Sequence, residues 1–363
     1  MTSSVRSGRL SPLFFSAPED RPVLGPQWIL SRRMDLLFIC GGLLWIIFFV
    51  FYPFTFGFYQ KDSLTTLITF AGALLFADAH NAATILRLIE EPGLAKSHPI
   101  VSFALPCAFA LTGVALLCHN SLLSPAITLY LILVAQHATA QAYGITMIYL
   151  RKSGLTLSSW QVRLVRWTFH SMMIAAIVHQ FSPGAPVRSM GIDTVYYPLF
   201  DLTTPVVVDA LAVVVACTMF GVLMYECRKA KVELHPGAAI LTLSTLAVFT
   251  LGQAHQLALA LAPAFLHGSQ YLAVTTSLYL KQLKDDPSCT ASGKFEELAA
   301  HYGKLLSIGL ALYFVLPYGI TRLGFSNVEA LAVVFLMVNF HHFIADAVIW
   351  KMRPNTQQKL LLT

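Results

Sequence analysis

Two adjacent histidines and an aspartate interrupt an otherwise apolar helical stretch of membrane-spanning length, Asn339 to Lys351 (NFHHFIADAVIWK). His342 and Asp346 are four residues apart and share a helix face. His341 lies about 100° round from His342, so the pair offers imidazole in two neighbouring directions. Ionisable groups at bilayer depth are costly and are rarely left facing lipid, so they mark a site or a set of interhelical bonds. Three further segments repeat the theme. His137 precedes Gln141 by four in AQHATAQAYG, His267 precedes Gln270 by three and Tyr271 by four in FLHGSQYL, and His80 precedes Thr84 by four in ADAHNAAT. Asp78 points to roughly the face opposite His80.

Neutral imidazoles converging from three or four helices suit iron, copper, zinc or nickel. Carboxylates are few and no cysteine is among them, which disfavours hard ions such as calcium or magnesium. An aspartate one turn after His342 suits acceptance of a ring N–H, fixing the tautomer. Gln141, Gln270 and Tyr271 can orient ligands in the same way or contact a substrate. The competing reading is that histidine, glutamine and tyrosine at these spacings only join helices by hydrogen bonds. A bis-histidine haem site also remains open, with iron ligated from two helices. His170, His179 and His255 are expected to be ordinary helix–helix partners. There is no Walker loop, no dinucleotide-binding glycine fingerprint and no serine nucleophile elbow.

The elements that must position these residues are membrane helices. Of the 363 residues, 56% are hydrophobic and 12% charged, and the mean hydropathy is +0.66. Repeated apolar runs of about 20 residues match the length needed to cross a bilayer core. The fold class expected is all-α, a polytopic helix bundle. About ten transmembrane helices are predicted, near 35–58, 64–88, 99–118, 126–150, 164–182, 204–225, 237–258, 261–282, 303–323 and 328–351. The run from 237 to 282 is too long for one crossing, and a turn near Ala262–Pro263 would divide it.

Basic residues gather in alternate connections: Arg32 and Arg33; Arg87 and Lys96; Arg151, Lys152, Arg163 and Arg166; Arg228, Lys229 and Lys231; Lys281, Lys284 and Lys294; Lys351 and Arg353. This puts both termini on the cytoplasmic side. Residues 1–34 then form a cytoplasmic segment, 35–351 a single transmembrane domain and 352–363 a cytoplasmic tail. The net charge of +6 reflects membrane orientation rather than a nucleic-acid surface. Tyr196 and Tyr197, in the longest outer loop, are placed along the membrane interface. The six scattered cysteines are read as small apolar residues without a disulfide framework.

Helical rise sets depth. Measured from the cytoplasmic end of its predicted helix, His80 lies at about 12 Å, His342 at about 14 Å, His137 at about 20 Å and His267 at about 22 Å. The first three can share a plane, and His267 is expected somewhat outward.

The order of these motifs resembles the Brp/Blh proteins, bacterial and archaeal membrane enzymes that cleave β-carotene to retinal with a histidine-held non-haem iron. That family carries an early intramembrane histidine, a second beside small and polar residues, a Phe-x-His segment, and a late histidine followed five residues on by aspartate and then Arg-Pro. Here His80, His137, FLHGS around His267, and HHFIAD with Arg353–Pro354 occur in that order. Tyr271 stands where the family has a second iron-binding histidine, and His342 has no evident counterpart. The resemblance covers four short segments and implies a related scaffold with possible iron chemistry, in a bacterial inner membrane. The HxxxH and HxxHH boxes of membrane desaturases are absent.

The sequence therefore leads to a membrane-embedded, histidine-ligated non-haem iron oxygenase using dioxygen on a lipophilic substrate: an isoprenoid, a carotenoid or a lipid chain. Its expected metal ligands are His80, His137, His267 and one of His341 or His342, with Asp346, Gln141 and Tyr271 orienting ligands or substrate. Iron is the first choice of cofactor, copper or haem the alternatives. A transporter or metal-handling protein that relays protons or ions through the same histidines is the second reading, and a purely structural subunit the third.

Overall fold

The structure, a computed structural model, describes residues 27–52, 62–90, 92–181, 188–189, 192–193, 206–251, 261–284 and 291–350. Apart from a two-residue antiparallel ladder pairing Arg188–Ser189 with Ile192–Asp193, the described elements are helical. In chain order they are α1 (Arg32–Ile39), α2 (Gly42–Tyr52), α3 (62–90), α4 (Pro92–Ser97), α5 (Ile100–Cys118), α6 (Asn120–Lys152), α7 (Ser159–Gln180), α8 (Val206–Ala230), α9 (Pro236–Thr250), α10 (261–284), α11 (Gly293–Arg322) and α12 (Asn327–Ile349). By length and composition, α5, α6, α8, α11 and α12 can each cross a membrane, and α1 with α2 makes a sixth crossing if that bent pair is one span. Large apolar side chains such as Phe103, Leu111, Val207 and Val315 stand on the surface, as lipid contact requires.

Among the described residues helices lie at the predicted positions, with one departure from expectation. The span predicted at 35–58 is bent by 58° between α1 and α2. Gly41 sits at this break with φ +89°, a conformation that costs glycine little. Ala262 and Pro263 are helical at the first described residues of α10, and residues 252–260 just before them lie outside the described residues, so the structure does not test a turn near this point. Proline is tolerated there because Pro263 opens a π-helical segment, Pro263–Gly268, in its first turn.

Wider π-helical turns also occur in α1 (Asp35–Ile39) and α3 (Ala73–Asp78). Such turns often accompany functional sites because they rotate the remainder of the helix about its axis. The turns in α3 and α10 pack against each other. A Cβ added to Gly268 would lie 2.9 Å from the backbone carbonyl of Phe76, so a glycine is required where the two backbones approach most closely.

The chain from Gln27 to Ser31 is tied to the bundle by Asp35, which is fully buried. Its carboxylate accepts from the Ile29 and Leu30 amides at 2.7 and 2.9 Å and from the Tyr149 hydroxyl on α6 at 2.8 Å. Replacing it strands these donors, each costing free energy where water cannot reach. Asp35→Ala is expected to destabilise the protein by about 3 kcal/mol, read as a lowered melting temperature in detergent, while Asp35→Asn should lose less.

Candidate metal centre

Four helices each deliver one histidine to a common point: His80 from α3, His137 from α6, His267 from α10 and His342 from α12. One ring nitrogen from each lies within 4.8 Å of the corresponding atom of every other. Ring centroids are 4.2 Å apart for His80 and His342, 4.8 Å for His80 and His267, 4.9 Å for His137 and His267, and 4.8 Å for His137 and His342. Imidazole nitrogens bound about 2.1 Å from one ion are separated by roughly 3 to 4 Å, so little adjustment joins these four to a single cation.

The sequence puts His267 outward of the other three, and the structure places it level with them. Counting to the last described helical residue, His80 and His342 lie about 15 and 10 Å in, His137 and His267 about 22 and 25 Å. Thus, within the described residues, α6 and α10 run further past their histidines than α3 and α12 do.

The choice between His341 and His342 falls to His342. The His341 ring turns toward α5, where its Nε2 lies 3.0 Å from the Val101 carbonyl and donates to it. His342 Nε2 lies 3.1 Å from His137 Nε2 inside the cluster, and its Nδ1 lies 2.9 Å from the Thr84 hydroxyl. Thr84 donates to Asp346 Oδ1 at 2.8 Å. A hydroxyl has one proton, so Thr84 accepts from His342 Nδ1–H. The bare Nε2 therefore faces the other rings.

Asp346 thus fixes the His342 tautomer through Thr84 rather than by the direct ring N–H bond expected from the four-residue spacing. Its second oxygen is 3.5 Å from His342 Nε2 and 4.0 Å from His137 Nε2. The Tyr271 hydroxyl lies 2.8 Å from Thr84 and 3.1 Å from Asp346 Oδ1, and its ring stands edge-on to His80 with centroids 4.1 Å apart. Trp350 Nε1 donates to Tyr271 at 3.3 Å, and the Arg87 guanidinium stacks 4.7 Å above the Trp350 ring.

For Gln141 the sequence gives the task of orienting a ligand or a substrate. Its Nε2 donates to the His267 backbone carbonyl at 2.9 Å and to Gln270 Oε1 at 3.2 Å. It therefore braces the π-helical turn that carries His267, not the His137 ring on its own helix. Thr84 and Trp350 are the participants that spacing alone does not assign. Each stands one turn after an expected residue, His80 and Asp346, but serves a different helix. Asp78 is buried beside Gly309 of α11 and is not part of the four-histidine group. His179 pairs with Asp209 across α7 and α8 at 2.8 Å, and His170 packs on Trp167 of its own helix. His255, Tyr196, Tyr197 and Arg353–Pro354 lie outside the described residues.

Whether a metal fits is decided by the nitrogens the protein leaves alone. Both ring nitrogens of His80, and Nδ1 of His267, are buried without any hydrogen-bond partner. A neutral imidazole always carries one N–H, and each unmet buried group costs about 1–3 kcal/mol. Interhelical bonding alone would not collect unpaired groups at one spot. A transition metal with a preference for imidazole fits the donor set.

No family model matches the chain, and neither a curated protein nor a solved structure matches it.

If Thr84 holds the His342 tautomer, Thr84→Val, nearly isosteric, should weaken metal binding by about 10- to 100-fold. Thr84→Ser should stay close to the original value. Titration against a competing chelator measures both.

Proposed function

We propose that the protein is a membrane-embedded oxygenase that holds a non-haem iron through His80, His137, His267 and His342 and acts with dioxygen on a lipophilic substrate. The observation that carries this reading is the set of partnerless imidazole nitrogens in a four-histidine cluster whose member His137 lines an apolar cavity. The likeness to the Brp/Blh proteins points the same way. In place of that family's second histidine, Tyr271 turns its hydroxyl to Asp346, and His342 brings the number of clustered imidazoles to four. In this reading the chain crosses a bacterial inner membrane ten times with both ends in the cytoplasm, which the alternation of basic connections supports.

Bound iron would supply the activation of dioxygen that no side chain here can perform. The protein's own part is positioning and exclusion. Asp346, through Thr84, keeps the His342 proton on Nδ1, so Nε2 stays available as a donor. Gln141 sets the His267 backbone, and Trp350 holds Tyr271 against the His80 ring. The apolar walls restrict water.

Detergent-purified protein should contain stoichiometric iron and should consume oxygen when a carotenoid, an isoprenoid or a fatty chain is supplied. The His80→Ala/His137→Ala/His267→Ala triple variant should lose the metal while remaining helical, and His341→Ala should keep it. Absence of stoichiometric iron or copper, or full retention in the triple variant, would overturn the reading.

One further observation favours an ion or proton relay as a second reading. Next to the cluster, Asn81, adjacent to His80, donates to Tyr313 at 2.6 Å and to Asn339 at 3.4 Å, all three buried. Proton or metal flux in liposomes, indifferent to oxygen, would support it over the oxygenase.

A further inference from the structure

A cavity of about 340 Å³ lies between α6 and α12 and reaches His137 and Asp346. Gln136 and Ala140 of α6 and Ala347 of α12 belong to its lining and are also exposed on the surface of the bundle. It therefore opens sideways between two helices that are each long and apolar enough to cross a membrane. Its volume is at the small end of the range for ligand sites and suits one apolar chain. What stands at the end of such a chain is a separate question.

Tyr143 and Arg166 answer it. Tyr143 is part of the cavity wall. The guanidinium of Arg166, an exposed residue of α7, lies 5.4 Å from the centroid of the Tyr143 ring, with one nitrogen 3.5 Å from the hydroxyl. Among the described residues no carboxylate pairs with this guanidinium, and the Tyr143 hydroxyl proton meets no acceptor. Two donors and one full positive charge thus stand together beside the cavity with no anion to share. Their depth suits a head group. Trp167, next to Arg166, and Trp160, two turns nearer the start of α7, are 60% and 49% exposed, and exposed tryptophan gathers where a membrane meets water.

We propose that the cavity binds one long-chain carboxylate, a fatty acid or other acid-terminated apolar chain. Its head group is held at the rim by the Arg166 guanidinium and the Tyr143 hydroxyl, and its tail enters between α6 and α12 toward His137. A guanidinium offers a carboxylate two parallel N–H donors, and a single negative charge matches the single cation in contact with Tyr143. The proposal rests on the oxygenase reading and deepens it by naming the substrate class, while the binding step itself needs no metal. Tyr143 lies six residues along α6 from His137, a rise of about 9 Å. The anchored head group therefore sets which carbon comes to rest beside His137.

Two neighbouring positions test head and tail apart. Arg163 is also exposed on α7, one turn from Arg166, and carries an equal charge, but only Arg166 stacks on Tyr143. Gly144 lines the cavity, and a Cβ there would meet nothing within 4 Å. A larger side chain at Gly144 fills the space where the tail would lie, and replacing a mid-helix glycine favours the helix.

The test uses two photoreactive diazirine probes of equal chain length, a fatty acid and the matching alcohol. The full protein is held in nanodiscs of zwitterionic lipid in mildly alkaline buffer, where the acid is ionised. Labelled residues are mapped by mass spectrometry, and metal content is measured on the same samples. The acid should label residues 136–148 and 343–350 roughly fivefold more than the alcohol, the worth of one partly exposed ion pair. Arg166→Gln should abolish that preference, Tyr143→Phe should reduce it and Arg163→Gln should keep it. Gly144→Phe should block labelling of these segments by both probes, with helicity and metal content unchanged. Equal labelling by acid and alcohol, or equal loss of preference in Arg163→Gln and Arg166→Gln, would overturn the head-group recognition. Displacement of the acid by an anionic phospholipid at equal concentration would assign the pair to a membrane lipid and overturn the proposal. Labelling indifferent to Gly144→Phe would overturn the placement of the tail. Site-specific labelling of protein without metal would leave this proposal standing while the oxygenase reading failed, and metal without labelling would do the reverse.

Discussion

The constraint on which the architecture depends is that imidazole buried in a dry helix bundle must find something to bind. Water is excluded, so every ring nitrogen is either satisfied by protein or held ready for a ligand. Four rings meet at one place, and the protein meets the needs of only some of their nitrogens. The four helices that carry them are correspondingly held in place by contacts that leave little freedom. Gly268 lets α10 touch the α3 backbone, and Ser269 reaches from α10 to the Phe38 carbonyl of α1 at 2.9 Å. The π-helical turns in α3 and α10 lie immediately before His80 and around His267, where a change of helical phase alters the direction in which a ring points.

The polar groups around the cluster divide by task. On one side, Thr84, Asp346, Tyr271 and Trp350 form a connected set that gives His342 a defined tautomer and His80 a defined neighbour. On another, Gln141 and Gln270 brace the backbone at His267. Hydrogen bonds beyond the immediate ligands are what set the basicity and orientation of a histidine site. Asp35 does analogous work far from the cluster, where a buried carboxylate secures the entry of the chain into the bundle. In both places an acid is tolerated at depth because N–H or O–H groups surround it.

Much of this arrangement is legible in the sequence because apolar helices admit few polar residues, and those few stand out. The four converging histidines, Asp346 and Tyr271 can all be picked from spacing and context. What spacing cannot give is the partner across the helix interface. Thr84 lies one turn from His80 yet bonds to His342, and Gln141 lies one turn from His137 yet bonds to the His267 backbone. His341 and His342 differ by about 100° of helical rotation, and only the packing of α5 against α12 shows which faces inward. The depth of His267 escapes the sequence because helical rise gives depth only if neighbouring helices end in one plane, and within the described residues α6 and α10 run further past their histidines than α3 and α12. The break at Gly41 carries a signal in the glycine pair Gly41–Gly42 within an apolar run.

The most direct measurement of the central claim is X-ray absorption at the metal edge of the purified protein, which counts and identifies the atoms around the ion. The account predicts a first shell dominated by nitrogen at about 2.0–2.2 Å, with the outer-shell scattering of several imidazole rings, and a smaller imidazole contribution in the His342→Ala variant. A shell of oxygen or sulfur without imidazole scattering, or a spectrum unchanged by His342→Ala, would contradict it.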